Sequence, residues 1–201
     1  MQSKRFSRMC TAWPRLYLLV GSLLVSGLGC ETSNRLGEGQ VSTAAGQSDN
    51  HGYALLAELC GDEKDVSKLR LLKRERPELK ALLQEIASTN RVALEALQRF
   101  AKADPSLDLK DRGLPIAEVA TRKAISKTKQ KAILGSKGKD LELQLLLDQN
   151  EAITYGSHLA GVVALSESNP QRRQFLDQLA RALGVLQQRV LEMLASGYLA
   201  G

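Results

Sequence analysis

Residues 77–103, PELKALLQEIASTNRVALEALQRFAKA, decide the fold. Leu79, Leu83, Ile86, Asn90, Ala93, Leu97 and Phe100 recur in alternating steps of four and three. That spacing gathers them on one face of an α-helix, where a strand would scatter them over both faces. Pro77 suits the first turn, since its missing N–H is one that a helix start leaves unbonded anyway. Asp104-Pro105 ends the run, and the stretch to Gly113 reads as a loop. The face is mostly aliphatic and carries one amide, Asn90.

Outward from this helix the same period repeats. A first helix is expected over about Tyr53–Lys73, with a break near Gly61. A third opens at Pro115 and ends near Leu134, ahead of Gly135-Ser136-Lys137-Gly138. A fourth spans about Lys139–Ser166, and Asn169-Pro170 starts a fifth that reaches about Ser196. The fourth helix places Leu145, Gln149, Ala152, Gly156, Leu159 and Val163 on one face, again with a single amide. Segments 76–87 and 169–180 (RPELKALLQEIA and NPQRRQFLDQLA) are weakly alike, and two such helices do not make a repeat. No alternating strand pattern stands out. The expected fold is all-α, an antiparallel bundle of about five helices.

The N-terminal end carries an address. Lys4, Arg5, Arg8 and Arg15 precede the mostly apolar run Leu16–Gly29, and Cys30 follows. A basic start, a short apolar stretch and small residues before a cut make a secretory leader. The run is about 21 Å long as a helix, short of the roughly 30 Å bilayer core. Gly29-Cys30 looks like the end of a bacterial lipoprotein signal, in which the cysteine thiol takes the lipid. Leu28 lies one place nearer the cysteine than the usual leucine. The expected organisation is a leader at 1–29, a lipidated Cys30 with a flexible tether to residue 52, and a helical domain over 53–201. The tether is read from ETSNRLGEGQVSTAAGQSDN (31–50), too polar to bury much surface. The expected location is the cell envelope, on the outer membrane facing the periplasm.

Charge and cysteine content narrow the function further. The whole chain carries a net +6, but loss of residues 1–29 leaves 24 basic against 22 acidic residues, a net +2. The basic balance therefore belongs largely to the leader and does not argue for nucleic acid. Cys60 is the sole cysteine left beside Cys30, so no internal disulfide framework can form. Five aromatics remain after the leader, which leaves the core to Leu, Ala, Val and Ile.

The domain also resembles a known family. RPELKALLQEIASTNRVALEAL (76–97), the loop to Gly113-Leu114-Pro115, ILGSKGKDLELQLLLDQNEAI (133–153) and LARALGVLQQRVLEML (179–194) are similar to the bacterial exported ferritin-like family of unknown function. Its members are predicted periplasmic or outer-membrane proteins, often lipoproteins, and the resemblance spans about residues 54–196. It implies a ferritin-like bundle. Where the family tends to carry histidine, this chain has Asn90, Gln149 and Arg189, so a histidine-based metal or ligand site does not carry over.

Direct reading of the residues agrees on that point. His51 and His158 are the only histidines, and neither has a glutamate three residues before it, as a Glu-x-x-His di-iron motif needs. Amides bind transition metals poorly beside imidazole or carboxylate. No cofactor and no catalytic constellation is expected, and the chain reads as a non-enzyme. Asn90, Gln149 and Arg189 remain a candidate polar site inside the bundle. A second candidate is the basic run Arg122, Lys123, Lys127, Lys129, Lys131, Lys137 and Lys139, which spans 119–139 without an acid. Such a run suits an envelope partner or an anionic surface; without aromatics it does not suit nucleic acid. The leading reading is a lipid-anchored envelope protein with a non-catalytic interaction domain. The alternatives are a ferritin-like metal or redox protein using carboxylates, and a small-ligand carrier. Oligomeric state, ligand and partner are not legible.

Overall fold

Five helices account for most of the chain: α1 (Glu38–Glu63), α2 (Pro77–Ala103), α3 (Ile116–Gly135), α4 (Gly138–Ser166) and α5 (Pro170–Leu194). The structure, a computed structural model, describes residues 38–68 and 76–199. The expected leader, Cys30 and the end of the first helix at Lys73 lie outside the described residues. A short 3₁₀ turn at Val66–Lys68 follows α1, and a π turn at Ala195–Leu199 follows α5. Among the described residues there is no strand, and the fold is an all-α bundle. No helix there is long and apolar enough to cross a membrane.

α4 and α5 share the most extensive interface, and α1 packs on both α2 and α4. α2 also packs against α5, so these four helices enclose the core. Only three residues join α4 to α5, a length that folds two packed helices antiparallel. The core is aliphatic: Leu56 and Cys60 of α1, Leu79, Leu83, Ile86 and Leu97 of α2, Leu145, Leu146 and Ile153 of α4, and Leu176, Leu183 and Val190 of α5. Phe100 and Phe175 meet edge to face at 5.3 Å between ring centres, a favourable geometry for the ring quadrupoles.

The α2 face is the one its sequence spacing predicts, widened by Leu82, Ala87 and Ala96. On α4 the expected row is displaced. Ala152 and Leu159 are only half-buried, while Ile153 and Ala160 are fully covered. α1 and α5 press on α4 from two sides, and a Cβ at Gly156 would meet Leu59 Cδ2 at 2.5 Å and Leu183 Cδ1 at 3.1 Å. Two neighbours on different azimuths pull the buried row away from a single stripe.

Polar networks close both ends of α4. At its start, Arg76 gives its backbone N–H to Glu142 Oε1 (3.3 Å) and its Nε–H to Oε2 (2.8 Å), fixing the entry to α2. Tyr198 donates to the same carboxylate at 3.2 Å. At its end, Glu167 accepts from Tyr53 Oη, Asn169 N–H (2.7 Å) and Arg172 Nε–H (2.9 Å). Arg172 also pairs with Asp104 at 2.6 Å, tying the α2 exit to the α4–α5 turn. Asn169 Oδ1 accepts from Gln171 and Arg172 N–H and so caps the fifth helix at the start that Asn169-Pro170 marks.

The start of α1 differs from expectation. Residues 38–52, read as tether, continue the helix, fifteen residues ahead of Tyr53. Tyr53, Ala54 and Leu56 are buried and hold the helix in place; extension from a formed helix costs little, since each added residue gains a bond. The loop after α2 folds back onto this segment. Asp108 N–H bonds Asn50 Oδ1 at 2.7 Å, and His51 lies 3.4 Å from Asp111. Gly113 has φ +61°, and a Cβ there would lie 2.2 Å from His51 Nδ1, so the turn admits glycine alone.

Candidate functional site

The three polar positions of the bundle hold separate partners. Asn90, 1 % exposed, sits mid-α2 and donates from Nδ2 to the Ile86 carbonyl one turn back at 2.9 Å. Gln149, 2 % exposed, sits on α4 and donates from Nε2 to Glu63 Oε2 at 2.8 Å. Arg189 projects from α5 to the bundle surface and pairs there with Glu85 of α2. No hydrogen bond joins the three among the described residues. Asn90 Oδ1 and Gln149 Oε1 are buried without a hydrogen-bond partner, as is Asn150 Oδ1. A buried amide acceptor left so costs about 1–3 kcal/mol.

Sequence reading missed Glu63. It stands in the last turn of α1, one turn beyond Cys60, and its carboxylate is drawn inward by Gln149. Burial pushes Glu63 up to about 7, with Asp148 and Asp62 adding to the rise and the Gln149 bond and Lys129 opposing it. Cys60 is fully buried, and burial together with Glu63 pushes its thiol up to about 12. A thiol held neutral is a poor nucleophile and a poor metal ligand. Among the described residues no three His, Cys, Asp or Glu side chains gather into a metal-holding group. Asn90, Gln149 and Arg189 supply two amides and a fixed cation, which do not fit the metal centre of a ferritin-like bundle.

The basic run resolves into two sets. α3 contacts α4 and buries no side chain. Its inner side combines Ile133, half-buried against the core, with polar contacts. Arg122 bonds Glu118 at 2.7 Å and lies 5.7 Å from the Tyr155 ring centre, within cation–π range. Lys129 pairs with both Asp148 and Glu151 of α4, each at 2.8 Å. Arg122 and Lys129 thus hold α3 in place. Lys123, Lys127 and Lys131 follow at four-residue intervals on the outer side and are exposed, as are Lys137 and Lys139 beyond the helix. Among the described residues these five have no ion pair.

α3 forms for local reasons. Pro115 precedes it with extended backbone, Glu118 favours the positive end of the helix dipole, and Ala, Lys and Gln fill its middle. Only Ser136 and Lys137 separate α3 from α4, and Gly138 opens α4 at φ +55°. His158 is exposed on α4. Compared with protein-family models, with curated proteins and with solved structures, the chain finds no match in any of the three.

Proposed function

We propose that this chain is a lipid-anchored protein of the bacterial cell envelope, on the outer membrane facing the periplasm, whose helical domain acts by contact and not by catalysis. The observation that carries the contact reading is α3. Its twenty residues bury no side chain fully, it is held on its inner side by Ile133 and by Arg122 on Tyr155 and Lys129 on Asp148 and Glu151, and its outer cations are unpaired among the described residues. A helix that gives the core so little is available to an outside surface.

The anchor rests on Cys30 behind the Leu16–Gly29 run. Seven residues, 31–37, lie between Cys30 and the start of α1. Acyl chains on that cysteine gain about 0.8 kcal/mol per buried CH₂, so two or more hold the chain stably. The resemblance of residues 54–196 to the exported ferritin-like family supports the same address. The test is metabolic labelling with a radioactive fatty acid, followed by membrane fractionation. Label should co-migrate with the chain, and Cys30→Ala should lose label and leave the membrane. Unchanged label and fractionation in Cys30→Ala would remove the anchor from this reading.

A further inference from the structure

We propose that the outer row of α3, formed by Ile116, Ala120, Lys123, Lys127, Lys131 and Leu134, lies against the anionic phospholipid surface of the membrane that carries the chain. The inference rests on the envelope reading and adds the surface and its chemical partner.

The row advances in steps of four and three along one side of the helix, the period that keeps side chains on a common face. Its middle is three lysines and its ends are aliphatic. Ile116 is 90 % exposed and Leu134 63 %, and eighteen residues of helix set them about 27 Å apart. The side holds no acid: Glu118, the one carboxylate of α3, is on the inner side with Arg122. Lysine ammoniums can meet lipid phosphates while their stems and the two terminal aliphatics sink between headgroups.

Three further features favour a planar anionic surface. The row runs the length of the helix and lacks an aromatic for stacking on bases. Lys137 and Lys139 extend the charge past the helix end, and they do so at the start of α4, where the helix dipole disfavours cations. Their placement opposes local stability and suits an external anion. Finally, a helix with so little packing is marginal by itself, and contact along its length stabilises it.

Co-sedimentation with vesicles tests the proposal. Every sample is the full chain with Cys30→Ala, and with Lys4, Arg5, Arg8 and Arg15 changed to Gln so that the leader adds no charge. The readout is the ratio of binding to phosphatidylglycerol–phosphatidylcholine vesicles over binding to phosphatidylcholine alone, at low salt. The chain should favour the anionic vesicles, and K123Q/K127Q/K131Q should lower that ratio on the order of a hundredfold. The charge-matched control R91Q/R99Q/K102Q, at exposed positions of α2, should keep it. I116S/L134S should weaken binding to the anionic vesicles while leaving its salt dependence. Circular dichroism confirms that each variant is folded. A chain with no anionic preference, as expected if α3 serves an acidic protein or a second copy, overturns the proposal. So does an undiminished ratio in K123Q/K127Q/K131Q, or an equal loss in the α2 control. Since Cys30 is changed throughout, these outcomes leave lipidation to be decided by the labelling experiment.

Discussion

Arg172→Met should lower the unfolding free energy by roughly 3 kcal/mol, measured by urea denaturation near neutral pH. Glu167 is 5 % exposed and is already committed to Tyr53 and Asn169, and Arg172 supplies its counter-charge. Methionine keeps the apolar stem and removes the cation. Glu167 is then a buried carboxylate without its charge partner, and Asp104 loses its bond as well. Breaking one side of a buried pair costs about 3–5 kcal/mol, and the low end applies because Arg172 keeps 16 % of its side chain in water. Adding Glu167→Gln should restore much of the loss, because an amide oxygen still accepts from Tyr53 and no charge is stranded. A loss under about 0.5 kcal/mol in the single variant would mean that the network does not hold the α4–α5 turn.

Glu63→Gln should abolish a neutral-range pH dependence that the parent displays. The carboxyl titrates near its ordinary value of 4.5 when unfolded and is pushed up to about 7 in the fold, chiefly by burial. Between these values the folded state binds the extra proton. The stability that depends on it is complete below about 4.5 and is lost as pH rises through about 7. The loss amounts to up to about 3 kcal/mol, reduced by the solvent that Glu63 still meets. The variant should match the parent near the acid end of this window and exceed it above the window. Cys60 stays a neutral thiol throughout and adds nothing. Glu142 and Glu167 act in the opposite sense. Burial raises them, but the hydrogen bonds of Arg76 and Arg172 outweigh it, and both carboxyls fall below their ordinary value. Their contribution is lost only as pH drops through the acid range. Equal pH slopes in parent and Glu63→Gln, followed by thermal denaturation, would show that Glu63 is not held as described.

α2 was legible to the residue at both ends, because Pro77 and Asp104-Pro105 punctuate a strong stripe. The α5 start was legible for a similar reason, Asn169-Pro170 marking it, and the structure adds the Asn169 cap. The start of α1 was not, since residues 38–50 carry no apolar period and owe their helix to the packed turn that follows them. Asn90 and Gln149 were found as amides in apolar rows, and both are buried. Their partners were out of reach: one is a carbonyl of the same helix, the other a glutamate at the end of a helix packed beside it. Arg189 does not join them: it is part-exposed on α5 and pairs with Glu85 at the surface. The basic run was plain in sequence, but its division into Arg122 and Lys129 facing inward and Lys123, Lys127 and Lys131 facing outward needs the position of α4.

The central claim is that the outer face of α3 meets the membrane. Amine-reactive labelling of the wild-type chain in its native membranes, read by peptide mass spectrometry, tests it most directly. Lys102 and Lys110, exposed on other parts of the bundle, supply the reference. The account predicts that Lys123, Lys127 and Lys131 are shielded on membranes and become reactive once detergent replaces the bilayer, while Lys102 and Lys110 react equally in both. Equal reactivity of all five lysines on membranes and in detergent would contradict it.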